Sequence, residues 1–162
     1  MADSMHPVSL VAAATPLRAR PTAPPFPPPM VEKTVGREKR PLGDLFGLTN
    51  FGVNLTRLAP GACSALRHAH AKQDELVYVL EGEATLVTDA GESILRAGMC
   101  AGFKAGTGDA HHLVNRSQKP VVFLEVGDRT PGDSVKYPDD DVVGFSVPGG
   151  KWQYTRKDGT PY

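Results

Sequence analysis

The sequence is poor in cysteine and has no excess of charge of either sign. Its 162 residues include two cysteines, Cys63 and Cys100, without CxxC spacing. This count excludes a disulfide framework and favours a reducing compartment, so we expect a cytoplasmic protein. The 18 Lys and Arg residues balance 18 Asp and Glu residues, for a formal net charge of +0. Without a basic excess, nucleic acid is not expected as a partner.

Long hydrophobic runs are missing as well. No apolar stretch is long enough to span a bilayer as a helix, so a membrane is not expected as a partner. A secretory signal is disfavoured because Pro7 and Pro16 flank the short apolar stretch near the N-terminus and no Lys or Arg precedes it. Residues 1–30 contain a single acid and two arginines, so a targeting segment of another kind stays an open alternative there.

Proline and glycine are plentiful, with 15 and 17 residues respectively, and they predict many turns between short elements. From Pro21 to Pro29 six of nine residues are proline, which excludes a regular helix and favours extended polyproline geometry. We therefore predict that residues 1–41 form a Pro-rich N-terminal arm. Phe26 and Met30 are candidates to anchor this arm on the rest of the protein, and a disordered leader is the alternative.

The middle of the chain has the period of strands. Between Asn50 and Val126 apolar residues recur at every second position, as in Phe51, Val53 and Leu55, and successive side chains of a strand point to opposite faces. The sequence Asp89-Ala90-Gly91 is predicted to form the tip of a hairpin. Many short strands favour a β-sandwich or a closed barrel, since an open sheet would expose its edges.

Changes of composition give the two remaining divisions of the chain. We predict a β-barrel domain over residues 42–127 and an acidic C-terminal tail, rich in proline and glycine, over residues 128–162. The tail has little periodicity, so we expect irregular structure that packs on the barrel. Trp152 and Tyr154 are its candidate packing residues.

Four of the five histidines form two clusters, and a glutamate follows the first of them: His68 with His70, then Glu75, and His111 with His112. In a strand His68 and His70 would point the same way, about 7 Å apart, which suits two ligands of one ion. Imidazole nitrogens with one carboxylate favour one divalent transition metal ion, such as Fe, Mn, Ni, Zn or Co, over structural zinc. The alternative is that His68 and His70 face solvent on a polar strand.

Two glutamates are candidates for proton chemistry. Glu75 precedes the run Leu76 to Leu80, which is apolar on both faces. An unpaired carboxylate entering a buried strand would be costly, so an ion or a hydrogen bond must balance it, and we predict Glu75 as a metal ligand and catalytic residue. Glu125 is either a buried general acid or base, or the outward partner of Arg96 or Arg116.

The first cluster resembles the first motif of the cupin superfamily, which consists of a glycine, His-x-His, Glu and a second glycine. His68-Ala69-His70, four residues, Glu75, six residues and Gly82 match this motif. One departure is the spacer between Gly61 and His68, which is longer than is usual in the family.

The second cluster resembles the family's second motif through Gly98, Gly106, His111 and Asn115. The proline of that motif is missing here, and the spacer before the histidines is longer than usual, so either His111 or His112 could be the ligand. His111 is preferred because it keeps the spacing to Asn115 and places Leu113 on the same inward face. A slip of one residue would turn His112 inward instead.

The resemblance covers residues 42–127 and implies the fold and the ligands. The implied fold is all-β, a cupin-type double-stranded β-helix or jelly-roll barrel, with the extended arm and irregular tail on either side. The implied metal ligands are His68, His70, Glu75 and His111. We expect an apolar lining of the metal pocket from Val77, Val79, Phe103 and Leu113.

The resemblance to a small bacterial subfamily of cupins, mostly without an assigned reaction, implies no particular substrate. We predict a metal-binding monocupin that is an enzyme acting on a small, oxygen-rich carbonyl or acid substrate, of the dioxygenase, isomerase or lyase type. The alternative is a non-catalytic module that binds or senses a small molecule. A homodimer is also predicted, because a barrel of this size has a thin core and the arm offers an extension for exchange.

Overall fold

The structure is a computed structural model that describes residues 9–20, 26–149 and 151–162. Strands dominate these residues and the helices are short, as predicted for an all-β protein. The elements after the N-terminal 3₁₀ turn are α1 (Pro28–Lys33), β1 (Arg37–Pro41), α2 (Leu42–Leu45), β2 (Phe51–Leu58), β3 (Ala69–His70), β4 (Glu75–Glu81), β5 (Glu83–Thr88), β6 (Gly91–Arg96), β7 (Cys100–Phe103), β8 (His112–Val114), β9 (Val121–Asp128), β10 (Ser134–Tyr137), β11 (Val142–Val147) and β12 (Lys151–Thr155).

The largest sheet has five strands in the order β1-β2-β9-β4-β7, and each neighbouring pair is antiparallel. Leu58, Val79 and Phe123 on its inner face are all 0% exposed. The predicted period-two residues Phe51, Val53 and Leu55 form a strand but lie on the opposite face, where Phe51 is exposed and the other two are half-buried. Strand β1 is at one edge of this sheet and pairs along its whole length with β2. The predicted boundary between arm and barrel falls at its last residue, Pro41, so the segment predicted as an arm supplies a strand of this sheet.

A three-stranded sheet, in the order β6-β5-β8, contributes to the same core. Strands β5 and β6 form the predicted hairpin, with Thr88 paired to Gly91 across the two-residue loop and Gly91 at a φ of 120°. The main core contains Val77, Val79 and Leu113, with Phe103 packed against it. Of these four side chains, which were predicted to line the metal pocket, three belong to the buried core and Phe103 packs against it.

The C-terminal segment is more regular than its weak periodicity predicts. Strands β10 to β12 pair in order, and β10 also pairs with β3. Three of these strands are of four to six residues, too short for a clear period-two signal. The predicted packing residues Trp152 and Tyr154 contact a second core cluster, formed by Leu66, Val135, Tyr137 and Val142.

The N-terminal segment corrects one prediction. A regular helix was excluded between Pro21 and Pro29, and this is wrong at the last two positions, because α1 begins at Pro28. Proline is tolerated in the first turn of a helix, where its missing N–H has no intrahelical partner. The predicted anchors make contacts: the ring of Phe26 lies 6.0 Å from that of Tyr154, and Met30 packs on the second cluster. Residues 21–25 of the Pro-rich stretch lie outside the described residues.

None of the helices in the described part of the chain has the length and apolar character needed to cross a bilayer. Residues 1–8, which belong to the possible targeting segment, are outside the described ranges.

Candidate metal centre

The backbone brings the two histidine clusters together. His70 ends strand β3, Glu75 begins β4, and His68 and His111 form an isolated antiparallel bridge. In that bridge the His68 N–H donates to the His111 carbonyl at 3.1 Å, and the His111 N–H donates to the His68 carbonyl at 2.8 Å. Residues that are 43 positions apart in sequence, from 68 to 111, therefore present their rings to the same space.

The four predicted ligands converge on one carboxylate oxygen. The Nε2 atoms of His111, His68 and His70 lie 3.1, 3.4 and 3.6 Å from Oε2 of Glu75. The candidate ligand atoms of His68, His70 and Glu75 all lie within 4.8 Å of one another. His112 is directed elsewhere, with its Nδ1 3.2 Å from the carbonyl oxygen of Ala65. The geometry thus brings His111, and not His112, to Glu75.

The outer ring nitrogens determine where the protons of two histidines lie. Nδ1 of His68 is 2.8 Å from the carbonyl oxygen of Leu66, and Nδ1 of His70 is 2.5 Å from Oδ2 of Asp133. Because a carbonyl and a carboxylate accept hydrogen bonds, each Nδ1 donates, and Nε2 of each neutral ring carries a lone pair. When both rings are neutral, two Nε2 lone pairs and the Glu75 carboxylate face one another; when a ring is protonated, its Nε2–H can donate to Glu75 instead. A cation between them would stabilise this arrangement.

Asp133 is a residue of the site that the sequence analysis missed. It lies just before β10, is 2% exposed, and accepts the N–H of Lys72 at 2.7 Å through its other oxygen. It orients the ring of His70 in the manner of carboxylates that support metal-binding histidines. No spacing rule links Asp133 to a histidine 63 positions away, so this contact has no signal in the sequence.

The charges of the centre depend on burial and on contacts among its members. Burial alone would raise the pKa of Glu75, but hydrogen bonds with His111 and His68 hold it well below its ordinary value. Burial alone would lower the pKa of His68, but its contact with Glu75 raises it. For His111 burial dominates and lowers the pKa, with Glu75 opposing it. The carboxylate is therefore ionised and attracts positive charge to this centre.

The ring of His111 is held by stacking. It lies parallel to the ring of Phe103, with centroids 3.4 Å apart and an interplanar angle of 1°. Its buried Nδ1 has no hydrogen-bond partner among the described residues. Packing on Phe103 and the contact of Nε2 with Glu75 therefore position this ring, whereas His68 and His70 are also held through hydrogen bonds at Nδ1.

The donor set fits a metal ion. Three imidazole nitrogens and one carboxylate oxygen are ligands that divalent Fe, Mn, Ni, Zn and Co accept. The lone pairs that face Glu75 and the ionised carboxylate are the features of this structure that support the fit. The assignment of these four residues as ligands stays a prediction that metal analysis must test.

A cavity of about 530 Å³ adjoins the centre and has His68 in its wall. We call it the cationic cavity, because five basic side chains line it and no acidic side chain among the described residues does. Its basic residues are Arg18, Arg20, Arg37, Lys39 and Lys151. Tyr137, Trp152 and Tyr154 form part of its wall, and burial raises the pKa of both tyrosine hydroxyls, which stay neutral.

The cationic cavity contains charges that the fold does not neutralise. Arg18 pairs with Asp44, and Lys39 pairs with Glu125. Within the described ranges, Arg20, Arg37 and Lys151 form no ion pair with a carboxylate. Burial lowers the pKa of Arg37, with Glu125 opposing that effect, and an arginine keeps its charge in proteins. Such unpaired cations favour an anionic ligand.

A smaller cavity of about 90 Å³, here called the inner cavity, lies between the metal centre and the core and includes Glu125. For Glu125 the sequence predicts either an interior acid or base or an outward partner of Arg96 or Arg116. The outward pairing is wrong, because Arg96 pairs with Glu83 and Arg116 with Glu92.

Comparisons with known proteins agree with the fold. Residues 54–127 match the protein family described as Cupin domain. No curated protein matches the sequence. Among solved structures, a sugar phosphate isomerase of the cupin superfamily from Silicibacter pomeroyi is similar, with 42% identity and a TM-score of 0.86, over 95% of this chain and 96% of that one.

Two further structures are similar to lesser degrees. A candidate sugar phosphate isomerase from Acidithiobacillus ferrooxidans has 29% identity and a TM-score of 0.69, over 78% of this chain and 80% of its own. The polyketide cyclase RemF from Streptomyces resistomycificus has 20% identity and a TM-score of 0.62, over 80% of this chain and 84% of its own, and shows the fold alone. Because the Silicibacter pomeroyi protein matches nearly the full chain at 42% identity, this chain belongs to the cupin superfamily.

Proposed function

We propose that this chain is a metal-dependent enzyme that isomerises a phosphorylated sugar. The observation that carries the proposal is the position of the cationic cavity, which shares His68 with the metal centre. One ligand can therefore contact both places, with its carbonyl end at the centre and an anionic group among the basic side chains. This narrows the predicted small, oxygen-rich carbonyl substrate to a class that also carries a negative charge.

The cationic cavity has the chemistry that a phosphate group requires. Phosphate accepts several hydrogen bonds from cations, and guanidinium groups donate in pairs. Arg20 and Arg37 each use one donor on a backbone carbonyl, of Val31 and of Ser64, which leaves further N–H groups. Lys151 adds a third cation. The aromatic residues of the wall suit the body of a sugar, whose C–H faces pack on rings.

The metal centre would act on the other end of the substrate. His68, His70, His111 and Glu75 would hold the ion, which when bound would polarise the carbonyl group of the sugar. Asp133 orients the ring of His70, and Phe103 positions the ring of His111. Glu75 neutralises part of the charge of the centre, and its catalytic role stays part of this proposal.

The similar structures support the reaction type. The protein from Silicibacter pomeroyi is named a sugar phosphate isomerase, and its match extends over 95% of this chain. Isomerisation also agrees with the sequence-based expectation, which named isomerases with dioxygenases and lyases.

The test measures conversion of a sugar phosphate. The protein is loaded separately with Mn, Fe, Co, Ni and Zn, each preparation is incubated with a panel of aldose phosphates and the matching unphosphorylated sugars, and products are followed by NMR. We expect ketose phosphate from at least one phosphorylated sugar with at least one metal. Tight binding of a sugar phosphate that is recovered unchanged with every metal would favour the alternative, a module that binds or senses its ligand.

We also propose a homodimer in the cytoplasm. Strand β1 pairs with β2 of its own chain, so a dimer formed by exchange of the arm has little support. The outer face of β4 is the better candidate for the dimer contact. Leu76, Tyr78 and Leu80 on that face are between 41% and 43% exposed, and such a row of large apolar side chains favours association with a second copy. The proposed compartment rests on the two cysteines, which are both free.

A further inference from the structure

Glu125 faces the interior of the protein beside the metal centre. It pairs with Val77 across β9 and β4, and Gly127 pairs with Glu75. Directly opposed residues share a face, as do residues two apart in a strand. Glu125 and Glu75 therefore lie on the same face in diagonal positions, about 7–8 Å apart. Both carboxylates line the inner cavity, together with His68 and His111.

Lys39 places a positive charge next to this carboxylate. Its Nζ lies 2.5 Å from Oε2 of Glu125, and the two side chains are 21% and 17% exposed. Lys39 also lines both the inner cavity and the cationic cavity. The ion pair therefore lies where the two cavities meet. A ligand that extends from one cavity into the other would pass beside it.

The two inner carboxylates differ in what they already bind. Glu75 is within 3.6 Å of three imidazole nitrogens, so its oxygens belong to the metal centre. Among the described residues Glu125 forms one ion pair, with Lys39. A carboxylate that is shielded from water and not held by a metal centre is suited to accept a proton from a substrate.

We propose that Glu125 is the base that transfers the proton during isomerisation, with Lys39 as its charged partner. This inference rests on the proposed function and adds the residue that performs its central step. When Glu125 accepts a proton, the Lys39 ammonium loses its paired negative charge. It can then stabilise the negative charge that develops on a substrate oxygen.

The proton transfer balances without an oxidant or a reductant. Glu125 takes the proton from the hydroxyl-bearing carbon next to the carbonyl group. The electron pair of the broken C–H bond forms a carbon–carbon double bond, and the carbonyl π electrons move to oxygen. A proton passes between the two neighbouring oxygens. The Glu125 side chain is 17% exposed, so its carboxyl can exchange the proton with solvent, and it then returns a proton to the former carbonyl carbon while the new carbonyl group forms on the adjacent carbon.

The test uses Glu125→Gln, which keeps the size of the side chain and removes the base. Metal-loaded protein and an aldose phosphate are incubated in D₂O, and NMR measures turnover and deuterium on carbon. We expect kcat to fall by about 10²–10⁴-fold, with KM and metal content within about twofold of the wild type. Deuterium incorporation should be lost. The matched control is Glu83→Gln, which removes an exposed carboxylate paired with Arg96 and should behave like the wild type.

The outcomes separate this inference from the proposed function. An active wild type together with a Glu125→Gln variant whose kcat is reduced less than about tenfold would overturn the role of Glu125 and leave the isomerase standing. So would wild-type product that contains no solvent deuterium after many turnovers. A wild type that converts no sugar phosphate with any metal overturns both.

A second variant keeps the test informative if Glu125→Gln does not fold. Glu125→Asp keeps the charge beside Lys39 and withdraws the carboxylate by one methylene group. Because misplacement by about 1 Å can cost about 10²-fold in rate, we expect kcat to fall by about 10–10²-fold. Metal content should not change. An unchanged kcat would contradict the role of Glu125 as the base.

Discussion

The metal centre and the cationic cavity share the ring of His68 but are assembled from different parts of the chain. The predicted ligands lie between residues 68 and 111, and an isolated bridge joins the two histidine clusters. The cationic side chains come from residues 18–39 and from Lys151. One site is thus built around a local sequence motif, whereas the other exists only when the two ends of the chain fold against the middle.

The two sites also differ in what they recognise. The metal centre concentrates lone pairs and one carboxylate, which attract a cation. The cationic cavity has the opposite charge and has more room, about 530 Å³. This difference indicates that metal binding and substrate binding can be changed separately by mutation. The predictions below test that separation, beginning with the largest expected effect.

Removal of a metal ligand should have the largest effect. In His68→Ala or His70→Ala we expect bound metal to fall from about one ion per chain to almost none, because each variant loses one of four ligands. Turnover should be lost with it. His112→Ala is the matched control, since its ring contacts Ala65 and not the centre. Equal metal content in wild type, His68→Ala and His70→Ala, measured by mass spectrometry of metals, would contradict the site.

Loss of the partner of His70 should have the next largest effect. Asp133→Asn keeps an acceptor for the Lys72 N–H but weakens the contact that orients the His70 ring. Metal affinity is expected to fall by about 10–100-fold, as for other carboxylates that support metal-binding histidines. Competition with a chelator measures this affinity, and Asp139→Asn, on an exposed aspartate paired with Arg67, provides the control. An unchanged affinity would show that Asp133 has only a structural role.

A change in the cationic cavity should alter substrate binding and leave the metal in place. Lys151→Met removes an unpaired cation from the wall, so KM for a sugar phosphate should rise about tenfold, as expected from loss of a charge-assisted hydrogen bond. Metal content and kcat should stay near wild-type values. Lys119→Met, at an exposed lysine outside this cavity, serves as the control. The separation of the two sites would fail if Lys151→Met lost metal in proportion to activity.

A substitution on the outer face of β4 should change the oligomeric state and leave both sites intact. Tyr78 is 42% exposed there, on the face opposite Glu75. We expect Tyr78→Lys to convert a dimer into a monomer in light scattering, because a buried charge without a partner opposes association. Metal content should not change. A wild type that is monomeric at micromolar concentration would contradict the proposed dimer.

The features that could be predicted depend on residues that are close together in the sequence. The period-two pattern of Phe51, Val53 and Leu55 predicted strand β2, and Asp89-Ala90-Gly91 predicted the hairpin. The spacing of His68, His70 and Glu75 predicted a group that the structure brings within 4.8 Å. These features depend on the alternation of side chains within a strand, which is written directly in the sequence.

The unpredicted parts depend on distant segments that meet only after folding. Asp133 reaches His70 because β10 pairs with β3. Lys39 reaches Glu125 because β1 pairs with β2, which in turn pairs with β9. The alternation of Arg37 and Lys39 in β1 was the one available signal that two cations share a face. Nothing in that pattern indicated which cavity they would line.

The most direct test of whether one substrate contacts both sites compares kcat/KM for an aldose phosphate with kcat/KM for the same sugar without phosphate. Both values are measured with metal-loaded protein, in the wild type and in Lys151→Met. The wild type should prefer the phosphorylated sugar by at least about 10²-fold, since several charge-assisted contacts are available. Lys151→Met should reduce that preference about tenfold and leave the rate with the unphosphorylated sugar unchanged. Equal rates for the two sugars in the wild type, or conversion of neither with any metal, would contradict a phosphorylated sugar as the substrate.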